Sequence, residues 1–323
     1  MNIIEITDKF PTELDVVEYF EKVRWGNNPE CPYCNSAQLG VRNKDLRFHC
    51  KSCQKSFSVT TKTQIHNTRL PVRRWMFAFS LITDAKKGLS ALQLQRNLNV
   101  SYPTAMLMYR KSRELMAMEN KDVRLDDVVE MDETFIGGKP RPQANPTGIK
   151  PKKREKLDAQ LKELKEDGFE IKKGKRRVAH AVDVKRGRGT KQIPVVGIVE
   201  RNGDVVAQVM RKLTYQNLKT MVEKYVDEDD SVLITDEYRG YSRMHNIIEH
   251  VKIDHHKIYS YKGLNTNTIE SFWAVVERGI MGQYHHVSAK YLPSYIAEFV
   301  FKFNNRNNDD MFETLVHNSM KSR

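Results

Sequence analysis

The sequence predicts an α/β fold set behind a cysteine-rich amino-terminal region and a helical segment. Three observations point to it. All four cysteines lie between Cys31 and Cys53. Apolar residues recur at helical spacing up to Glu119, and beyond it short β-like runs alternate with amphipathic helical stretches.

Taken in order, Phe10 to Trp25 reads as an amphipathic helix whose apolar positions are Leu14, Val17, Tyr19, Phe20 and Val23. Cys31 to Phe57 carries turn residues and short runs. Leu70 to Leu98 returns to helical spacing through Trp75, Phe77, Phe79, Leu81 and Ile82. Val128 to Met131, Val178 to Val184, Val195 to Val199 and Val205 to Met210 predict strands, the last three arranged as a meander. Thr214 to Tyr225 is helical, Ser231 to Thr235 is a short buried strand, and helices dominate from Thr268 onward. Between Gly137 and Arg177 lies a stretch with GGKPRPQANPTGIKPKKREK, a density of Gly, Pro and Lys that no packed element tolerates, so a mobile basic insertion is expected at about 138–176. Its middle, Glu155 to Glu166, has the charge spacing of a solvated helix. The expected division is 1–66, 67–120, an α/β domain over 121–310 and a carboxy-terminal tail over 311–323.

With 54 Lys and Arg against 41 Asp and Glu, the formal charge is +13. A surplus of that size favours a polyanion, because each cation that neutralises a phosphate releases condensed counterions, and nucleic acid is the leading partner. No run reaches the roughly 18–20 apolar residues a membrane span needs, and MNIIEITDKFPTELD lacks a basic stretch followed by an apolar one. A cytoplasmic protein with no membrane partner is expected. Its cysteines then bind metal instead of forming disulfides.

Cys31, Cys34, Cys50 and Cys53 form two C-x2-C knuckles, CPYC and CKSC. Four soft thiolates suit a structural Zn2+ with no open coordination position. Arg47, Phe48, His49, Lys51, Lys55 and Phe57 flank them in the manner of a zinc-ribbon hairpin. Such a small unit takes its folding free energy from the metal.

KGLSALQLQRNLNVSYPTAMLMYRKSREL has helix-turn-helix grammar: Ser90 as N-cap, a helix to Leu98, a turn over Asn99 to Ser101 and a second helix into Leu115. Leu92, Leu98, Val100, Ala105 and Met108 would form its core. Ser101, Tyr102, Thr104, Arg110, Lys111 and Arg113 would face DNA.

Two aspartates end apolar runs, Asp132 in EMDETFIGG and Asp236 in SVLITDEYRGY, and Glu270 stands in NTNTIESFWAVVERG on a predicted helix. Three carboxylates from separate elements suit two hard cations, Mg2+ or Mn2+, which stabilise both attacking and leaving oxygens in displacement at phosphorus. Glu133 and Glu237 are neighbours that strand alternation and turn geometry should aim elsewhere. His285 and His286, paired in a basic segment, read as packing or phosphate contacts.

EMDETFIGGKP, VLITDEYRGY and NTNTIESFWAVVERGIMGQYHHVSAKYL resemble the signature segments of the insertion-sequence 1595 family of bacterial transposases, with its ISXO2-like domain, and CPYC with CKSC resembles that family's zinc ribbon. The resemblance runs from about residue 10 to residue 310. It implies a ribonuclease H-like core with Asp132 on the first strand, Asp236 after the fourth and Glu270 on a later helix. It also implies a DDE-type enzyme of the nucleoid that binds terminal inverted repeats, cleaves and joins DNA as a dimer or higher oligomer, and needs no nucleotide cofactor. Relatives carry Glu or Asn as the third residue, so Asn267 is the alternative to Glu270. Where related enzymes place a Lys, this sequence has Glu277 followed by Arg278, which is expected to take the DNA-phosphate contact. A DNA-binding regulator without chemistry, or a nuclease that cuts without joining, are the competing functions.

Overall fold

The structure is a computed structural model that describes residues 1–42, 44–119, 123–137, 159–160, 162–163, 166, 192–253, 265–308 and 310–323. Residues 1–134 with 193–323 form one compact unit, and 135–192 form a second. In the second unit, positions 159–160, 162–163 and 166 are helical, and Lys162 pairs with Glu166 at 3.9 Å. The predicted strand Val178 to Val184 and most of the predicted insertion lie outside the described residues.

In the first unit the expected leading helix is α2, Glu13–Trp25, and a further helix that the sequence reading did not anticipate, α1, Ile3–Lys9, precedes it. α2 starts where Thr12 and Asp15 form a capping box, which satisfies the orphan amides of a new helix start. Val16, Val17 and Phe20 are buried, whereas Leu14 is exposed. α3, Val72–Asp84, buries Trp75, Phe79 and Ile82, one helical face.

α4, Ala91–Leu98, starts at Ser90, whose hydroxyl accepts the Gln93 amide at 3.1 Å. It ends at Asn99, which takes the left-handed conformation, and α5 follows over Tyr102–Glu119. Two expected roles are corrected here. Leu92 is 53% exposed and Leu94 fills the core in its place, because the buried face of α4 runs through Leu94 and Leu98. Arg113, expected to face DNA, is 3% exposed and points into the protein.

Its partner is Glu298, wholly buried on α8, Leu292–Asn304. Arg113 Nε donates to it at 2.8 Å, Lys302 Nζ at 2.7 Å and Tyr109 OH at 2.9 Å. The Arg113 guanidinium also lies over the rings of Tyr109 and Tyr295. Burial alone would raise the Glu298 carboxyl, but Lys302 and Arg113 outweigh it and hold the group at about 2. Glu298→Ala leaves two cations buried without their anion. It is expected to cost about 3–5 kcal/mol, read as a lowered denaturation midpoint with α5 and α8 loosened together. Because the carboxyl is depressed, the wild-type contribution is present above the ordinary Glu range and fades as pH falls toward 2.

The segment expected as a carboxy-terminal tail is instead mostly a helix, α9, Met311–Met320. Its Phe312, Leu315, Val316 and Met320 join the core formed by α1 to α5.

The other core belongs to a five-stranded mixed sheet of order β5-β4-β3-β6-β7. Its strands are β3, Leu125–Ile136; β4, Ile193–Glu200; β5, Val205–Val209; β6, Val226–Thr235; and β7, Glu249–Lys252. β4 and β5 form an antiparallel hairpin, while β6 runs parallel to both β3 and β7. α6, Tyr215–Tyr225, covers the sheet through Leu218, Met221 and Val222.

α7, Asn267–Gly279, packs across Gly197 of β4. A Cβ at Gly197 would stand 2.7 Å from the Trp273 ring and 2.9 Å from Ile269, so only glycine admits the helix this close. No described helix is long and apolar enough to cross a membrane.

Candidate active site and metal cluster

Phe48–His49 and Ser56–Phe57 form an antiparallel hairpin, β1 and β2, that pairs Phe48 with Phe57. Each knuckle closes with a residue in the left-handed region, Asn35 after CPYC and Gln54 after CKSC. Their amides reach back to the Cys31 and Cys50 carbonyls at 2.8 and 2.9 Å. The four Sγ atoms all lie within 4.8 Å of one another, with Cys31 to Cys53 at 3.7 Å and Cys34 to Cys50 at 3.6 Å. Sulfurs placed tetrahedrally about 2.3 Å from one ion stand about 3.8 Å apart, so the cluster fits a structural zinc. Phe57, Phe48, Leu39 and Trp25 pack around it.

At the carboxylates, strand register does the placing. Met131 of β3 pairs with Thr235 of the parallel β6. Asp132 and Asp236 each follow one residue later, Asp236 just past the end of β6 and Asp132 within β3, which continues to Ile136; neighbouring strands lie about 4.8 Å apart. Ligand sites of open parallel sheets sit beyond carboxyl ends such as that of β6. Glu270, in the first turn of α7, is close enough to act on Asp132 electrostatically.

Burial pushes the Asp132 carboxyl up to about 7, and repulsion from Glu133, Asp236 and Glu270 adds to the rise. Asp236 Oδ1 accepts the Tyr238 amide at 2.9 Å, and Glu270 Oε1 accepts the Thr266 hydroxyl at 3.0 Å. Among the described residues only the cysteines bring three or more potential ligand atoms within 4.8 Å, so the acidic trio is a wider cradle. Asn267, the alternative third residue, is exposed at the first position of α7.

Neighbouring groups are engaged in other ways. Glu133 Oε2 accepts the buried Tyr241 hydroxyl at 2.7 Å, Glu237 faces solvent, and Glu277 Oε1 accepts the Thr134 hydroxyl at 2.9 Å. Arg278 is exposed in the last turn of α7. His285 and His286 are exposed, with His285 Nδ1 3.0 Å from the Met281 carbonyl. On α5, Tyr102 and Arg110 are exposed and Thr104 and Lys111 partly so. Ser101 is turned to a local role beside Thr104, hydroxyl to hydroxyl at 2.8 Å. Arg110 and Lys111 share Glu114, at 3.9 and 2.7 Å.

Sequence reading passed over Glu130. It is buried beside the trio and holds the start of α7. The signal was available: two positions before Asp132 on a strand is the same face.

Comparison with known proteins gives two family matches, an ISXO2-like transposase domain over residues 166–304 and a transposase zinc-ribbon domain over residues 11–56. The first includes Asp236 and Glu270 and the second all four cysteines, while Asp132 lies between the two. An uncharacterized protein in transposable element ISH50 of Halobacterium salinarum is 28% identical over 131 residues, 39% of this chain and 43% of that relative. The chain thus matches less than half the length of this curated relative. A pre-cleavage Mos1 transpososome structure is similar at 10% identity and a TM-score of 0.27, covering 75% of this chain and 78% of that one, too distant to bear on fold or function.

Proposed function

We propose, from the matches to the ISXO2-like transposase and transposase zinc-ribbon domains, that the chain is an IS1595-family transposase, a DDE-type enzyme that binds the terminal inverted repeats of its element and cuts and joins DNA at Asp132, Asp236 and Glu270. The observation that carries the reading is the parallel register of β3 and β6, which brings the two aspartates to neighbouring positions, with Glu270 close enough to act on Asp132 electrostatically. The strand order, with an antiparallel hairpin on one side of β3 and two parallel strands on the other, supports a ribonuclease H-like core.

A trio of carboxylates with like-charge repulsion suits Mg2+ or Mn2+, and two such ions when bound would stabilise the attacking and leaving oxygens. Asp132, Asp236 and Glu270 would hold those ions. First a water oxygen bonds to the phosphorus and the bridging oxygen leaves as a 3′ hydroxyl. That hydroxyl then bonds to a target phosphorus while another bridging oxygen departs. Each step exchanges one P–O bond for another, so no nucleotide is consumed. The reading assigns repeat binding to the zinc ribbon and the α4–α5 pair, with Tyr102, Thr104, Arg110 and Lys111 toward DNA and Arg278 toward a phosphate near the cut. Two element ends require at least a dimer.

Purified protein with Mg2+ and DNA carrying the element's terminal repeats is expected to yield new DNA junctions. Cutting without junctions would favour the nuclease reading. End binding with neither product would favour a regulator. In the same assay Glu270→Gln is expected to lower joining by at least about 100-fold, while Asn267→Ala stays within about tenfold of wild type. The reverse order would make Asn267 the third ligand.

A further inference from the structure

Glu130 is 0% exposed and fully enclosed by donors. Its Oε1 accepts from Arg201 Nε at 3.3 Å, Arg201 Nη2 at 3.1 Å and the Thr268 hydroxyl at 3.0 Å. Its Oε2 accepts the backbone amides of Thr268 at 2.9 Å and Ile269 at 3.0 Å. Those amides belong to the first turn of α7, whose N–H groups have no partner within the helix and whose dipole favours an anion. Arg201 Nη2 also donates to the Asn265 carbonyl at 3.0 Å, so the same pair ties down the chain just before the helix.

A carboxylate offers about four lone-pair directions, and five donors already occupy this one. Glu130 therefore has no capacity left for a metal ion. What it can do is set distances. Glu130, Asp132 and Thr134 lie on one face of β3. Glu130 grips Thr268 and Ile269, and Thr134 grips Glu277. Four strand residues and nine helical residues each cover about 13 Å, so β3 and α7 are joined at two matched points with Asp132 and Glu270 between or beside them.

We propose that Glu130, braced by Arg201, is a positioning residue that fixes the start of α7 against β3 and so sets the gap between the Asp132 and Glu270 carboxylates. The proposal rests on the assignment of those two carboxylates to the metal cradle. Its consequence is that disturbing Glu130 weakens divalent-ion binding without removing a ligand.

Glu130→Gln keeps the size of the side chain but replaces one acceptor oxygen with an NH2 that faces donors. Binding of Mn2+ alone, followed by electron paramagnetic resonance, is expected to weaken about tenfold. The Mn2+ concentration for half-maximal joining should rise by a similar factor, and the Thr268 and Ile269 amides should exchange faster. Zinc content and end binding stay at wild-type levels. Combining it with Arg201→Ala should add little to the worse single change, because both act through one contact. Should Glu130→Gln fail to fold, Thr268→Val removes only the hydroxyl donor and is expected to weaken Mn2+ binding about twofold to threefold.

Asp132→Asn and Glu270→Gln serve as references. If they abolish joining while folded Glu130→Gln, or Thr268→Val in its place, binds Mn2+ as tightly as wild type, Glu130 does no more than stabilise the fold and the proposal is overturned. If the references themselves join DNA normally, the cradle assignment fails and the proposal falls with it.

Discussion

Stripping zinc from the four cysteines with phenanthroline, or replacing Cys31 and Cys34 by Ser, is expected to unfold residues 31–57 and abolish binding to the element's ends. The reason is the size of the ribbon's core: among the described residues it consists of Cys31, Cys50 and Phe57, with Trp25, Leu39, Phe48 and Cys53 half-buried around it. So small a cluster cannot offset the entropy of ordering its chain. Metal binding in comparable units contributes about 10–16 kcal/mol, more than the whole stability of many domains. Amide exchange should become fast across the hairpin while the five-stranded sheet keeps its protection. Unchanged protection in the hairpin of the zinc-free protein would show that the cysteines merely pack there.

Asp132→Asn and Asp236→Asn are each expected to lower joining by at least about 1000-fold, equivalent to about 4 kcal/mol of transition-state stabilisation, with end binding intact. The Asp132 change carries a second signature. Its carboxyl is held up to about 7 by burial and by neighbouring carboxylates. The folded protein therefore holds a proton there that the unfolded chain has released, and metal-free stability falls as pH rises from the ordinary Asp range toward 7. An amide in place of the Asp132 carboxyl removes that penalty, so the inactive Asp132→Asn variant should melt higher than wild type at about pH 8 without metal. In wild type, Mn2+ must displace the proton, so its apparent affinity should climb with pH and level off above about 7. Normal joining by either variant would remove the active-site assignment.

Much of this was legible in the sequence because the features are local. Two C-x2-C knuckles specify their own geometry, Ser90 announces a helix start, and the apolar runs that end at Asp132 and Asp236 are recognisable as buried strands. The misplaced residues depended on contacts distant in sequence. Arg113 looked like a surface cation because nothing nearby hints at Glu298, which is 185 residues away. Residues 311–323 looked like a tail because a short helix reveals its value only when Phe312 and Leu315 find the core of α1 to α5. Glu130 was hidden for the same reason, since its donors come from Arg201 and from Thr268 and Ile269. Periodicity reports which way a residue faces but not what faces it.

The seat of α9 among α1 to α5 also bears on synthesis. The ribosome delivers the cysteine knuckles and both helices of the α4–α5 pair long before residues 311–320 exist, yet Phe312, Leu315 and Val316 complete the apolar interior those early helices share. The nascent amino-terminal half must wait with an open flank, and its interior should close only after translation has passed residue 320. A chain cut at residue 310 would be left permanently in that immature condition, sticky and poorly folded.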